Sequence, residues 1–160
     1  MADYFLRVDG VPGESTDAKH KGDIEVLSWS WGEVNEAPPR GPGGGLGAGK
    51  VDMSDLTVVA SFSKASPQLL LACASGKHFK SAVLTARKAG KAQADYLTFS
   101  LTDVLVSSYR VGGGAEDGVP TDSVGLSFGK IQVEYKEQKA DGSFGETVKA
   151  GWDRKANKQL

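Results

Sequence analysis

Residues 123–135 read SVGLSFGKIQVEY. Val124, Leu126 and Phe128 fall on one phase of a two-residue repeat, and Ile131, Val133 and Tyr135 fall on the other. A strand sends successive side chains to opposite faces, so a one-residue slip would turn an apolar set to the wrong side. The slip lies at Gly129, and the spacing predicts a β-bulge or a sharp bend at Gly129 and Lys130. Bends of this kind let a sheet curl towards a barrel.

Strand signals of the same type run over 4–9, 24–32, 51–61, 79–87, 95–102, 104–111 and 146–152, separated by turns rich in Gly, Asp or Lys. With no alternating helical segments, this pattern predicts an antiparallel sandwich or barrel over a βαβ fold. One helix is expected where Ser66 can cap its start, Pro67 suits the first helical position and Gly76 sits at the exit. Its body, QLLLACAS at 68–75, is apolar around most of its circumference, so it should pack on the sheet and also touch something else.

The segment from Ile24 places Leu27, Trp29 and Trp31 on one face and Val26, Ser28 and Ser30 on the other. Paired tryptophans imply burial, which makes Trp29 and Trp31 candidate core residues. The small serines opposite suit the lining of a wide water-filled space or a solvated outer face equally well.

A chain of 160 residues, 39% hydrophobic, fits one domain over 1–160 with one core. Nineteen basic against twenty acidic side chains leave a formal charge of -1, so no overall field draws in nucleic acid or an anionic membrane. No segment reaches the roughly 20 apolar residues of a bilayer span. The first ten residues carry Asp3, Arg7 and Asp9 where a signal core would be apolar, so cytoplasmic synthesis without a standard export signal is expected. The single cysteine, Cys73, cannot form an internal disulfide, and with only His20 and His78 beside it no zinc site of the usual spacing arises. Neither metal nor cofactor is expected.

Several stretches imitate catalytic motifs. GGLGAGK, at 44–50, has P-loop spacing up to its lysine, but Val51 stands where a Ser or Thr should meet Mg²⁺, and a strand signal follows instead of a helix. GLSFG, at 125–129, matches the nucleophile elbow, yet the elbow needs a strand, a turn and a helix, with its histidine later in the chain; both histidines precede Ser127. Cys73 with His78 could be a thiolate and its base, but a free Cys in an apolar helix is ordinarily a small buried hydrophobe. His20, in the polar turn DAKHKGD, is expected to be solvated or locally hydrogen-bonded. Asp103, Glu116, Asp117 and Asp122 read mostly as solvated turn residues. Lys149, Arg154, Lys155 and Lys158 read as charged surface, with the tail 153–160 frayed.

DGVPGESTDAKHKGDIEVLSWSWG at 9–32, then SPQLLLACASGKHF, LTARKAG, DVLVSSY and a late Gly151-Trp152, closely resemble the Hcp proteins, the haemolysin-coregulated proteins of type VI secretion. The resemblance runs from about Tyr4 to Trp152. It implies a mainly β, phage-tail-tube-like barrel of two antiparallel sheets with one short flanking α-helix. It also implies a non-enzymatic protein that closes into homohexameric rings, which stack into a hollow tube. Implied partners are further copies of itself, the spike-tip protein, sheath and baseplate of the secretion machine, and small effectors carried in the lumen. The tube subunit would be made in the bacterial cytoplasm and secreted.

On this reading Ser28 and Ser30 face the lumen. PPRGPGGGLGAG at 38–49, the one low-complexity segment, becomes the loop that reaches the neighbouring ring, with Arg40, Gly41, Gly43, Gly44, Gly45, Leu46, Gly47, Gly49 and Lys50 as its candidate stacking residues. Glycines suit an arm that lies close to another backbone, and Pro38, Pro39 and Pro42 stiffen it. The alternative from the residues alone is a carbohydrate-binding β-sandwich that stacks sugars on Trp29 and Trp31. A hydrolase acting through Ser127 is the third and weakest.

Overall fold

The computed structural model describes residues 2–36, 50–88 and 94–160. Their elements run β1 (Ala2–Val8), β2 (Ile24–Ser30), β3 (Glu33–Asn35), β4 (Val51–Met53), β5 (Leu56–Ser61), α1 (Ser66–Ser75), β6 (His78–Lys88), β7 (Asp95–Gly112), β8 (Thr121–Gln138), β9 (Phe144–Asp153) and β10 (Lys158–Gln159). Strands pair in the order β8-β5-β2-β1-β6-β7, every pair is antiparallel, and β7 pairs back onto β8. The barrel is therefore closed. β9 and β10 continue the ladder outward from β8, and β3 with β4 forms a separate two-stranded sheet.

Closure puts one face of each barrel strand against the others. Leu6, Leu56, Leu84, Leu101, Val104 and Leu126 are all 1% exposed or less and belong to one hydrophobic cluster. Burying each of these side chains contributes about 1.5–3 kcal/mol.

The phase slip at Gly129 is real, but it is not a bulge. Thr102 pairs with Lys130 and Val104 with Phe128, so the β7–β8 register is continuous through it. Both strands switch faces together: Leu101 and Val104 are buried on β7, Phe128 and Ile131 on β8. Asp103, opposite Gly129, sits at φ 56 and makes the bend. Expected strands 95–102 and 104–111 are consequently one strand, β7. The bulge on this ribbon lies between Val106 and Ser108.

Three further expectations change. The span 51–61 is two strands, β4 and β5, placed in different sheets. On β2 the register shifts between Val26 and Ser28, so Val26 is buried while Leu27 is 58% exposed. The extra residue separates Leu27 from the tryptophan face. Ser66 does not cap α1: Ala65 occupies the cap position without a side-chain bond, and the Ser66 hydroxyl instead donates to buried Asp122 and accepts from the Ser63 N–H. Gly76 ends the helix in the left-handed region, at φ 69, as its sequence position predicts.

The tail folds back instead of fraying. β10 pairs with β9, the Arg154 side chain donates to the Phe128 carbonyl, and its guanidinium lies 5.2 Å from the Phe128 ring centre.

Candidate functional site

The wall strand β2 carries the lumen candidates. Ser28 and Ser30 are exposed, while Trp29 and Trp31, one residue out of phase with them, turn towards the core. Trp29 meets Phe99 at 5.1 Å and Tyr4 at 6.0 Å; Trp31 lies between Phe99 and Phe128 at 6.3 and 6.5 Å. Edge-to-face and tilted contacts of this kind add about 0.5–1.5 kcal/mol per pair beyond burial. Both rings are packed against their own chain and only partly exposed, so neither is the free-standing platform the sugar reading expects.

Just beyond Trp31 the chain leaves the barrel. The Trp31 indole N–H donates to the Ser54 carbonyl at 3.0 Å, and Ser54 N–H donates to the Gly32 carbonyl at 2.9 Å. The Ser54 hydroxyl completes the tie to Gly32. These bonds fix the base of β3–β4, where Glu33 pairs with Met53 and Asn35 with Val51. Lys50 is exposed at the end of that hairpin. Arg40, Gly41, Gly43, Gly44, Gly45, Leu46, Gly47 and Gly49 lie outside the described residues. Lys50 runs into strand β4, not a helix, so no P-loop cradle follows it. Between β3–β4 and the β8–β9 face lies a cavity of about 620 Å³ lined by Trp31, Met53, Ile131, Val133 and Trp152.

The nucleophile-elbow reading has no support in the backbone: Ser127 sits inside the uninterrupted strand β8, paired with Leu105. His78 Nδ1 does contact Asp103 at 3.1 Å, and all three line one surface concavity, but no hydrogen bond joins Ser127 to His78. Hydrogen bonds from Lys155, and secondarily from His78, hold the Asp103 carboxyl below its ordinary range, so the aspartate is already engaged. Cys73 is half-buried against the core, as a small hydrophobe would be. No cluster of metal-binding side chains occurs among the described residues.

Sequence reasoning missed the polar anchors. His20 makes the local hydrogen bond expected of it, Nδ1 2.9 Å from Asp23, but it is buried instead of solvated and its Nε2 lies 3.0 Å from Asp95. Its ring stacks on Phe5 at 4.3 Å, and the Arg87 guanidinium lies 5.0 Å from the Phe5 ring centre. Buried Arg87 pairs with Asp17 at 2.8 Å and Asp3 at 3.3 Å, and its hydrogen bonds hold the Asp17 carboxyl well below the usual carboxylate range. This cluster pins the irregular segment 9–23 to β1 and β6. Asp122, expected in a solvated turn, is buried, accepting from Ser66 and from the Tyr109 hydroxyl at 2.7 Å. Burial, then the bond to Asp122, push the Tyr109 phenol up to about 12. The DAKHKGD charges were the only sequence signal for the first anchor, and the strand partners of Asp17 and His20, Arg87 and Asp95, lie 70 and 75 residues away.

The family model described as "Type VI secretion system effector, Hcp" matches residues 5–135. The chain is similar to protein hcp1 of Pseudomonas aeruginosa, with 45% identity over 159 residues, 98% of each chain. It is similar in fold to a solved type six secretion system protein, with a TM-score of 0.94 and 31% identity over 100% of both chains. The crystal structure of Hcp1 from Salmonella typhimurium aligns with a TM-score of 0.81 and 39% identity over 99% of both.

Proposed function

The chain belongs to the Hcp family of type VI secretion proteins, and from that membership we propose that it is a non-enzymatic tube subunit. It closes into homohexameric rings, the rings stack into a hollow tube, and the tube is secreted with small effectors in its lumen. Ser28 and Ser30 line the lumen, and the arm 38–50 reaches the next ring. Its partners are its own copies and the spike-tip, sheath and baseplate proteins of the secretion machine.

The observation that carries the reading is the division of labour along β2. Small hydroxyls are exposed on one side, paired tryptophans are packed on the other, and the strand ends directly in a hairpin that leaves the barrel. Rings need a heterologous interface that closes by rotation, and filaments need a second contact that does not close. A barrel wall plus a projecting arm offers separate surfaces for each. Multi-angle light scattering at micromolar protomer tests it: a hexamer mass is expected, and a strict monomer contradicts the reading.

A further inference from the structure

β9 lies outside the closed barrel, yet one of its faces is apolar. Inside the barrel Leu101 pairs with Ile131 and Phe99 with Val133, and these side chains belong to the core cluster or pack against it. β9 continues the same rows, with Ile131 beside Trp152, Val133 beside Ala150 and Tyr135 beside Val148. Directly paired residues share a face of the sheet. The apolar lining of the barrel therefore runs on past β8, onto a strand that no other barrel strand covers. Trp31, Val51 and Met53 line the resulting cavity from the side of the β3–β4 hairpin. Its volume, about 620 Å³, is that of a small-molecule site.

Charge is sorted between the two faces of this extension. Lys130 and Lys158 both pair with Asp153, and Lys149 pairs with Glu134, all one residue out of phase with the apolar rows. Alternation sends these lysines to the opposite face. Among the described residues that line the cavity, the only charged one is Glu33; the other polar ones are amides, such as Asn157 and Gln159. Glu33 is exposed, and no salt bridge engages it among the described residues. Two indoles, Trp31 and Trp152, complete the lining, and indole is the aromatic ring that attracts a cation most strongly.

We propose that this cavity binds a small aromatic compound carrying one positive charge, with its rings among Trp31, Met53, Val133 and Trp152 and its ammonium beside Glu33. An anion of the same shape meets the Glu33 carboxylate with no lysine on that face to offset it. The site is separate from the lumen candidates, because Ser28 and Ser30 fall on the other phase of β2 from the tryptophans. It is also independent of the tube reading, since every residue named comes from one protomer.

The test titrates two isosteres, 2-(1-naphthyl)ethylamine and 3-(1-naphthyl)propionate, into the full-length protein at pH 7, labelled with ¹⁵N at tryptophan. Calorimetry gives the affinities, and the indole N–H signals locate the site. The Trp31 N–H, which donates to the Ser54 carbonyl, and the Trp152 N–H, which is buried without a partner among the described residues, should shift with the amine. Trp29, which does not line the cavity, should stay in place. The amine should bind about tenfold more tightly than the acid, and Glu33→Gln should shrink that preference to about threefold or less. Ala150→Trp should fill the cavity and abolish binding; Glu33→Gln, at an exposed position, keeps the charge pairing testable should the bulky replacement disturb the fold. An amine that moves neither Trp31 nor Trp152 at millimolar concentration, equal affinity for amine and acid, a preference unchanged in Glu33→Gln, or binding that survives Ala150→Trp would each overturn the site.

Discussion

Replacing Asp122 with Ala should strand two donors at the root of α1. The Ser66 hydroxyl is wholly buried and donates to Asp122; the Tyr109 hydroxyl, half-buried, donates to its other oxygen at 2.7 Å. A buried donor left unmade costs about 1–3 kcal/mol. Tyr109 can recover part of its loss from water, so the sum falls near 3 kcal/mol. For a chain of this size, about 3 kcal/mol lowers Tm by roughly 6–12 °C. Circular dichroism melts at fixed protomer concentration measure it, because assembly makes Tm concentration-dependent. The cycle of Ser66→Ala, Asp122→Ala and the double variant should show coupling of about 0.5–3 kcal/mol, since the serine donor has nothing to lose once its acceptor is gone. A loss under about 0.5 kcal/mol for Asp122→Ala, the range of ordinary surface changes, would refute the anchor. Strict additivity in the cycle would refute it as well.

Tyr109 is protonated in the fold up to about pH 12. The folded state therefore holds a proton that the unfolded chain releases near pH 10, and stability should fall as pH rises from about 10 to 12. Tyr109→Phe should flatten that fall in urea titrations across the range. Arg87 depresses the Asp17 carboxyl, so its contribution is present above the ordinary carboxylate pKa and is lost as pH falls below it. Asp17→Asn should lower stability at neutral pH and shrink the wild-type loss on acidification below about pH 4, read by unfolding midpoints at a series of pH values. Deleting residues 43–49 should leave the hexamer mass unchanged in light scattering while long stacks disappear from micrographs. Loss of the hexamer instead would assign the arm to the ring interface.

The strands were legible because period-2 alternation survives in β5 and in the sequence on either side of Gly129 in β8, and the helix exit was legible because Gly76 needs a positive φ that few other residues adopt. Leu27 misled because a bulge is a local backbone event that the alternation of single residues does not announce. Gly129 pointed to the right place, and of the bulge or bend expected there the bend is what forms; its sharing by two strands, with Asp103 opposite in a left-handed backbone, is what no sequence periodicity predicts. The split of 51–61 turned on Ser54, whose bonds to Gly32 and Trp31 link two segments 22 and 23 residues apart. Ser66, His20 and Asp122 share one difficulty. Each looks like a local cap or turn residue until long-range pairing brings its partner alongside, Asp122 to Ser66 across 56 residues and Asp95 to His20 across 75.

The lumen assignment of Ser28 and Ser30 and the role of the arm both stand or fall with the assembly. Cryo-electron microscopy of the purified protein is the measurement that bears on it most directly. The account predicts rings of hexameric symmetry with an open centre, β2 on the inner wall with its serines facing the channel, and the hairpin β3–β4 projecting along the ring axis. Single particles with no central opening, or rings with β2 on the outer surface, would contradict it.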